Sequence, residues 1–246
     1  MIESGQLLER FRLLARDIQN GLQTAQRQLE PLKRGAGNSE AIKIAATLSQ
    51  MSEAWQDFSG WILLSTLDDP NEARANSAPG RIDVRSKIIR SKIRAENTSI
   101  RNGIKIDISD VQSLIVETYI PYLEQTLDLI FDNSIKYSPR GGTIEVSVER
   151  EKSGATIMVR SVGPNVQRYE IEHLGTKGFR SEGAKKASVA GQGFGLFNVR
   201  RLVDLLDASV EFRAEQKILY ESSNTQYSNF TVILKLPEAP KTGGAS

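Results

Sequence analysis

Asp132, Asn133 and Lys136 interrupt the apolar face of the stretch from Leu127 to Ser138, and on a helix they fall within about one turn of each other. A carboxylate and an amide oxygen suit Mg²⁺, a hard ion that takes oxygen ligands, and a lysine one turn on can meet a polyphosphate. A second group, Gly191, Gly193 and Gly195, sets glycines at alternate positions and opens through Leu196 into an amphipathic helix. Glycine lets a phosphate approach the main chain closely, and a helix start offers unpaired N–H groups and the positive end of a dipole. A third block, Arg160 to Val166, leaves a strand through the turn at Gly163. Each block has a plainer reading, a solvated helix face for the first and loop punctuation for the others. The glycine spacing is not GxGxxG and no strand immediately precedes it, so a dinucleotide fingerprint is a poor description.

These residues need elements to carry them, and the expected fold class is α+β. Apolar residues at Leu7, Phe11, Leu14, Ile18, Leu22, Ala25, Leu29 and Leu32 form one helical stripe, which Gly35 to Asn38 ends. Ile44, Leu48, Met51, Trp55, Phe58 and Ile62 form a second stripe, with heptad steps. Residues 1–68 are therefore expected to be an antiparallel helical hairpin. Two helices bury little surface, so the hairpin is expected to pair through residues 7–66 with a second copy, giving a four-helix bundle in a homodimer. The plainer alternative packs it on its own C-terminal domain. Residues 69–82 hold prolines, a glycine and polar turn formers and read as a linker.

Residues 83–237 then form a second domain. The pattern predicts a helix from Val84 to Asn97 with Ile88, Ile89 and Ile93 inward, a strand from Ile104 to Ile108, and a helix from Tyr122 to Tyr137 with Pro121 in its first turn. Strands follow at Thr143–Glu149 and Ala155–Arg160. The segment from Gly163 to Ala190, rich in Gly, Lys, Arg and Ser, lacks a period and reads as a lid. A helix from Phe194 to Leu206 and strands at Ser209–Arg213 and Phe230–Leu236 complete the domain, and residues 238–246 read as a loose tail.

Composition narrows the function. A net charge of +2 on 32 basic and 30 acidic residues lacks the basic bias of a nucleic-acid binder. With no cysteine the chain has no disulfide and no thiolate metal site, and one histidine, His173, makes a histidine-rich metal site a poor expectation. The longest apolar run, Trp61 to Leu64, is far too short to cross a membrane. A soluble, cytoplasmic chain is expected, whether or not a sensor segment once preceded it.

Taken in order, the blocks resemble the GHKL superfamily, and most closely the catalytic domain of bacterial sensor histidine kinases. LEQTLDLIFDNSIKYSP is similar to the N box, SVGPNV to the first glycine box, GTKGFRS to the lid motif, GQGFGLFNVRRLVDLLDASVEF to the second glycine box with its helix and strand, and FTVILKLP to the closing strand. The resemblance implies an α/β sandwich, a mixed sheet with helices on one face, holding Mg-ATP beneath a mobile lid. It implies that Asn133 binds Mg²⁺, with Asp132 beside it as the acidic group of the catalytic site. Lys136 and glycines 191, 193 and 195, with Leu196 at the helix start, would hold phosphates. Tyr137 would pack near the sugar or base, Ser161 and Gly163 would stand at the adenine, and Lys177 or Arg180 would reach the phosphates from the lid.

Departures from the family pattern carry information too. Ser161 stands where relatives usually read the adenine amino group with an aspartate, and exchanging a charge-assisted bond for a neutral one costs roughly 1 kcal/mol, about fivefold in affinity. Asn165 replaces a second glycine, and Leu129 stands where many relatives put Asn or Glu. The hairpin resembles the kinases' dimerisation and phosphotransfer domain, but Arg16 occupies the phosphoacceptor histidine's place, ahead of Asp17. A guanidinium stays protonated and is no nucleophile, so this position cannot be autophosphorylated. His173 falls in the lid and reads as a bystander. The expected function is a histidine-kinase-like, ATP-binding protein of a two-component-like pathway, acting by phosphoryl transfer or as a nucleotide-dependent switch, with a response regulator or other signalling protein as partner. The alternative is an inactive pseudokinase whose hairpin binds a receiver domain or partner kinase. A DNA-repair or chaperone ATPase fits less well, because a heptad hairpin precedes the ATP domain and no transducer domain follows it.

Overall fold

The computed structural model describes residues 78–151, 154–187 and 192–237, together with a few helical positions between Ile18 and Met51. The chain divides into two compact units, Met1–Glu72 and Ala73–Ser246. In the first, Ile18, Leu22 and Ala25 of the first stripe and Ile44, Leu48 and Met51 of the second are helical. Ile44 and Met51 are about half exposed. The rest of the expected hairpin, Arg16 and Asp17, most of the linker and the tail from 238 lie outside the described residues.

The second unit opens with a short strand where a linker was expected. β1 (Gly80–Asp83) pairs antiparallel with β3 (Ile115–Thr118), placing Ile82 opposite Val116, both buried. Asp83 ends the strand and caps helix α1 (Val84–Arg101): its Oδ1 accepts from the main-chain N–H of Arg85 and of Leu114. The buried stripe of α1 is Val84, Lys87, Ile88, Ser91, Ala95 and Ser99. Ile93, expected inward, is 61% exposed. It lies five residues from Ile88, about 140° around the helix, so the two cannot share a face. Lys87 is admitted to the interior by an ion pair of 2.7 Å with Glu124.

After β2 (Lys105–Val111) and β3 comes helix α2 (Ile120–Tyr137), with Pro121 in its first turn as expected. It buries Leu123, Leu127, Ile130, Phe131 and Ile135 almost completely, which turns Asp132 and Lys136 outward and leaves Asn133 half-buried. Strands β4 (Thr143–Glu151), β5 (Gly154–Pro164), β6 (Ser209–Ala214), β7 (Tyr220–Ser222) and β8 (Thr225–Pro237) complete the topology with helices α3 (Glu182–Lys186) and α4 (Gly195–Leu205). The main sheet runs β2-β4-β5-β8-β6, with β2 and β4 parallel and the other neighbours antiparallel, so it is mixed.

Register explains why the sheet has two unlike faces. Val146, Val159, Val232 and Phe212 are neighbours across four strands, and all are buried. One residue along, Glu145, Arg160, Thr231 and Arg213 form the adjoining row on the opposite face. There Arg160 meets Glu215 at 3.2 Å and Glu145 at 4.0 Å. The helices cover the apolar face alone, and each Val or Phe side chain fully buried there contributes about 1.5–3 kcal/mol.

Candidate functional site

α2 and the turn before α4 approach each other. A Cβ built on Gly195 would lie 3.5 Å from Asn133 Oδ1, so the bare glycine backbone faces the amide. Gly193 has φ +80, and a Cβ there would come within 2.6 Å of Phe179 O and 2.7 Å of the Gly178 carbonyl carbon. Only glycine fits that position, on conformation and on space. Gly178 itself has φ +75, so the lid tip and the glycine turn touch main chain to main chain. On the sheet side, a Cβ built on Gly163 would lie 3.8 Å from Tyr137 Cβ, and Ser161, two residues earlier on the same strand face, is 6% exposed. The N-box helix, the end of β5, the lid tip and the glycine turn therefore converge.

Placement of the remaining predicted residues varies. Lys136 is exposed, its Nζ 6.0 Å from the Tyr137 ring. Leu196 is half-buried in the first turn of α4, whose N-cap residue, Phe194, makes no side-chain hydrogen bond to it. Lys177 is exposed at the lid tip, whereas Arg180 Nη2 donates to Ala184 O at 3.1 Å, within the lid. Gly191 lies outside the described residues. His173 is more than half exposed, beside Glu172 and the Phe179 ring.

Asp132 is the electrostatic exception on α2. Its pKa is pushed up to about 7, first by the protein that displaces water from its carboxyl, then by the Asp128 carboxylate one turn earlier, while Lys136 and Arg94 pull the other way. The residue is nevertheless exposed, so water relieves part of that desolvation as well as screening the neighbouring charges, and what stands is the upward direction of the shift. Asp128 is itself raised by burial against the opposing pull of Arg94, whose Nε and Nη2 both reach Asp128 Oδ1, at 3.0 and 2.8 Å.

The segment read as a lid without internal structure contains a 3₁₀ turn, Arg168–His173, and α3. Of two residues that hold it, Glu170 escaped the sequence reading of the site and Asn165 entered it only as a departure from the family's glycine. Glu170, 3% exposed, accepts from Gln167 N through Oε2 at 2.8 Å and from Glu182 N through Oε1 at 2.7 Å. Asn165 donates its N–H to Gln226 O at 2.7 Å, accepts from the Ser228 hydroxyl at 3.1 Å, and presents its carbonyl so closely to Gly183 that a Cβ there would lie 2.3 Å away. The pair Gln167 and Glu170 has the spacing of a capping box, which was the available signal.

A metal could be held here only with help from a ligand. Among the described residues no group of three or more His, Cys, Asp or Glu side chains could hold one. One amide oxygen beside a bare glycine turn does fit Mg²⁺ carried in on phosphates, an ion that keeps several waters and asks little of the protein.

Comparison with known proteins agrees with this geometry. Residues 118–240, half of the chain, match the family described as histidine kinase-, DNA gyrase B-, and HSP90-like ATPase. The chain belongs to that family. It is 33% identical over 89 residues to the sensor protein kinase PmrB of Pseudomonas aeruginosa, covering 36% of this chain and 18% of that protein. It is 27% identical over 136 residues to the sensor histidine kinase YkoH of Bacillus subtilis, covering 54% of this chain and 30% of the relative. The chain thus spans less than a third of the length of either relative. Among solved structures, the Acinetobacter baumannii histidine kinase AdeS superposes with a TM-score of 0.55 at 15% identity, covering 90% of this chain and 95% of that one. The mycobacterial sensor histidine kinase MprB gives 0.52 at 21% identity over 66% of this chain and 99% of its own. These likenesses establish the GHKL fold, as expected from the motifs. Among the described residues no helix is long and apolar enough to cross a membrane.

Proposed function

We propose that residues 83–237 bind Mg-ATP between α2 and the lid, and that the chain acts as a histidine-kinase-like component of a two-component-like signalling pathway in the cytoplasm. The observation that carries this reading is the approach of Asn133 Oδ1 to the bare backbone of Gly195. In this reading Asn133 supplies the protein ligand to Mg²⁺. Lys136 and the main-chain N–H groups of the turn 191–195, with Leu196 behind them, hold the phosphates. Ser161 and Gly163 face the adenine, and Tyr137 packs against the sugar or base. Lys177 and Arg180 bring lid charge to the terminal phosphate. Bound Mg²⁺ would neutralise charge on the phosphoryl oxygens, and phosphoryl transfer in such a site depends mainly on positioning and that neutralisation. Asp132, its carboxyl pushed upward in pKa by desolvation and by Asp128, stands beside Asn133 as the acidic group of the site. A solved neighbour of the same fold, ShkA, was crystallised with AMPPNP; it has a TM-score of 0.54 at 16% identity.

Arg16 removes the chain's own hairpin as phosphoacceptor, so the phosphoryl group goes to a partner, or nucleotide occupancy works as a switch in a homodimer formed through residues 7–66. The same substitution favours a second reading, an inactive adaptor whose hairpin binds a receiver domain. Titration of a fluorescent ATP analogue with and without Mg²⁺, followed by incubation with labelled ATP alone and beside response-regulator receiver domains, separates these readings. Mg-dependent binding with label on a partner supports the kinase, binding without transfer supports the switch, and no binding at millimolar nucleotide leaves the adaptor.

A further inference from the structure

Glu170 is a buried carboxylate that the mechanism above does not use, and both of its oxygens are committed to main-chain donors. Oε2 accepts from Gln167 N, at the start of the 3₁₀ turn, and Oε1 accepts from Glu182 N, at the start of α3. One side chain therefore ties together the two ends of the segment between them. That segment turns at Gly175 and Gly178, with φ +79 and +75, and carries Lys177 and Arg180. Its far end is also seated, because Gly183 lies against the Asn165 carbonyl and Ser181, buried, caps α3 through Ala184 N. At its tip, the backbone of Gly178 and Phe179 is in contact with Gly193.

We propose that Glu170 is a positioning residue that holds the lid's cationic tip against the glycine turn before nucleotide arrives. The proposal rests on the Mg-ATP reading of the site and adds a device to it. Ordering a loop costs conformational entropy for every residue fixed, and a ligand that must order the loop itself binds more weakly by that amount. A carboxylate suits the task because it is acceptor-only and has two oxygens for two converging N–H groups. A glutamine of the same shape offers one acceptor, and its NH₂ would face the second donor. Because the loop bears cations and no adenine contact is assigned to it, losing the clamp should weaken ligands in proportion to their phosphates.

The test compares Glu170→Gln with Glu172→Gln, an exposed neighbour, in the full chain, by hydrogen exchange without nucleotide and by displacement titration with ATP and with adenosine. The expected result for E170Q is exchange faster by about tenfold at Gln167, at Glu182 and through residues 174–180, with β4, β5 and β8 unchanged. ATP affinity should fall by about tenfold while adenosine affinity holds, and E172Q should behave as wild type. Unchanged lid exchange, or equal losses for ATP and adenosine, would overturn the proposal. Failure of the wild-type chain to bind ATP is a separate result. It removes the nucleotide reading, and the exchange comparison then decides alone whether Glu170 holds the lid.

Discussion

α2 and the lid bring their residues to the same place by different physics. α2 buries Leu123, Leu127, Ile130, Phe131 and Ile135, so Asn133 is aimed by a continuous apolar stripe rather than by any one polar bond. Among the described lid residues beyond Pro164, only Val166, Leu174 and Ala184 are buried apolar side chains, and the lid's shape depends on Glu170 and Ser181, whose side chains accept from main-chain N–H groups, and on Asn165, held by Gln226 O and the Ser228 hydroxyl. A helix face positions by volume, whereas a polar clamp positions by a few bonds. Exchanging a residue that points outward from α2 should therefore change chemistry and leave structure alone, while exchanging a lid residue should change local order first.

The sharpest test of that contrast is Asn133→Ala. The fold should stay intact by circular dichroism and thermal melting, while Mg-dependent ATP affinity falls on the order of a hundredfold, since even supporting groups around a metal are worth ten- to a hundredfold. Loss of structure in this variant would break the comparison. Gly193→Ala comes next: the positive φ and the Phe179 carbonyl force the tip away, with an expected stability cost of about 1–2 kcal/mol in denaturant titration and faster exchange confined to the lid. Gly195→Ala meets only ordinary contact at 3.5 Å and should leave the melting temperature nearly unchanged. A smaller effect is expected from Ser161→Asp, which restores the adenine-reading carboxylate of the family pattern and should tighten ATP binding by about fivefold over wild type in the same titration.

The smallest expected effect is the pH dependence contributed by Asp132. Its pKa is raised from 3.8 to about 7 in the folded chain, so the folded state binds more protons than the unfolded state between those values. The residue's contribution to stability is therefore fully present below pH 3.8 and lost as pH rises towards 7. Asp132→Asn should flatten the stability profile over that interval in chemical denaturation at several pH values. An identical profile in the variant would mean that the exposed edge of the carboxyl governs its titration.

Long periodic segments were the most readable part of the molecule. α2, β4 and β8 follow stripes or alternations of many residues, and the expected elements overlap the observed ones. β1, β3 and β7, of three or four residues each, are too short for a period to register, and residues 80–82 therefore passed for linker. In α1, Ile88, Ile89 and Ile93 looked like one face because all are apolar, but Ile88 shares the interior with Ser91, Ala95 and Ser99, small residues that let the helix lie close to its neighbours, while Ile93 faces out. Of the site, the glycine turn and Asn133 were legible because unusual residue types mark them. Glu170 was not, because an acidic residue in a polar loop reads as solvated until the fold shows which amides surround it.

The parallel pairing of β2 with β4 has a consequence for the order in which this molecule can be made. Two parallel strands cannot be joined by a tight turn, and the connection between them runs through β3 and α2, so the helix that carries Asn133 is itself the bridge of the crossover. A nascent chain released only as far as Tyr137 holds the Asn133 amide but not the strand that anchors its far end. The proposed nucleotide site is thus completed late in synthesis, only after β4 and everything up to Gly195 has emerged.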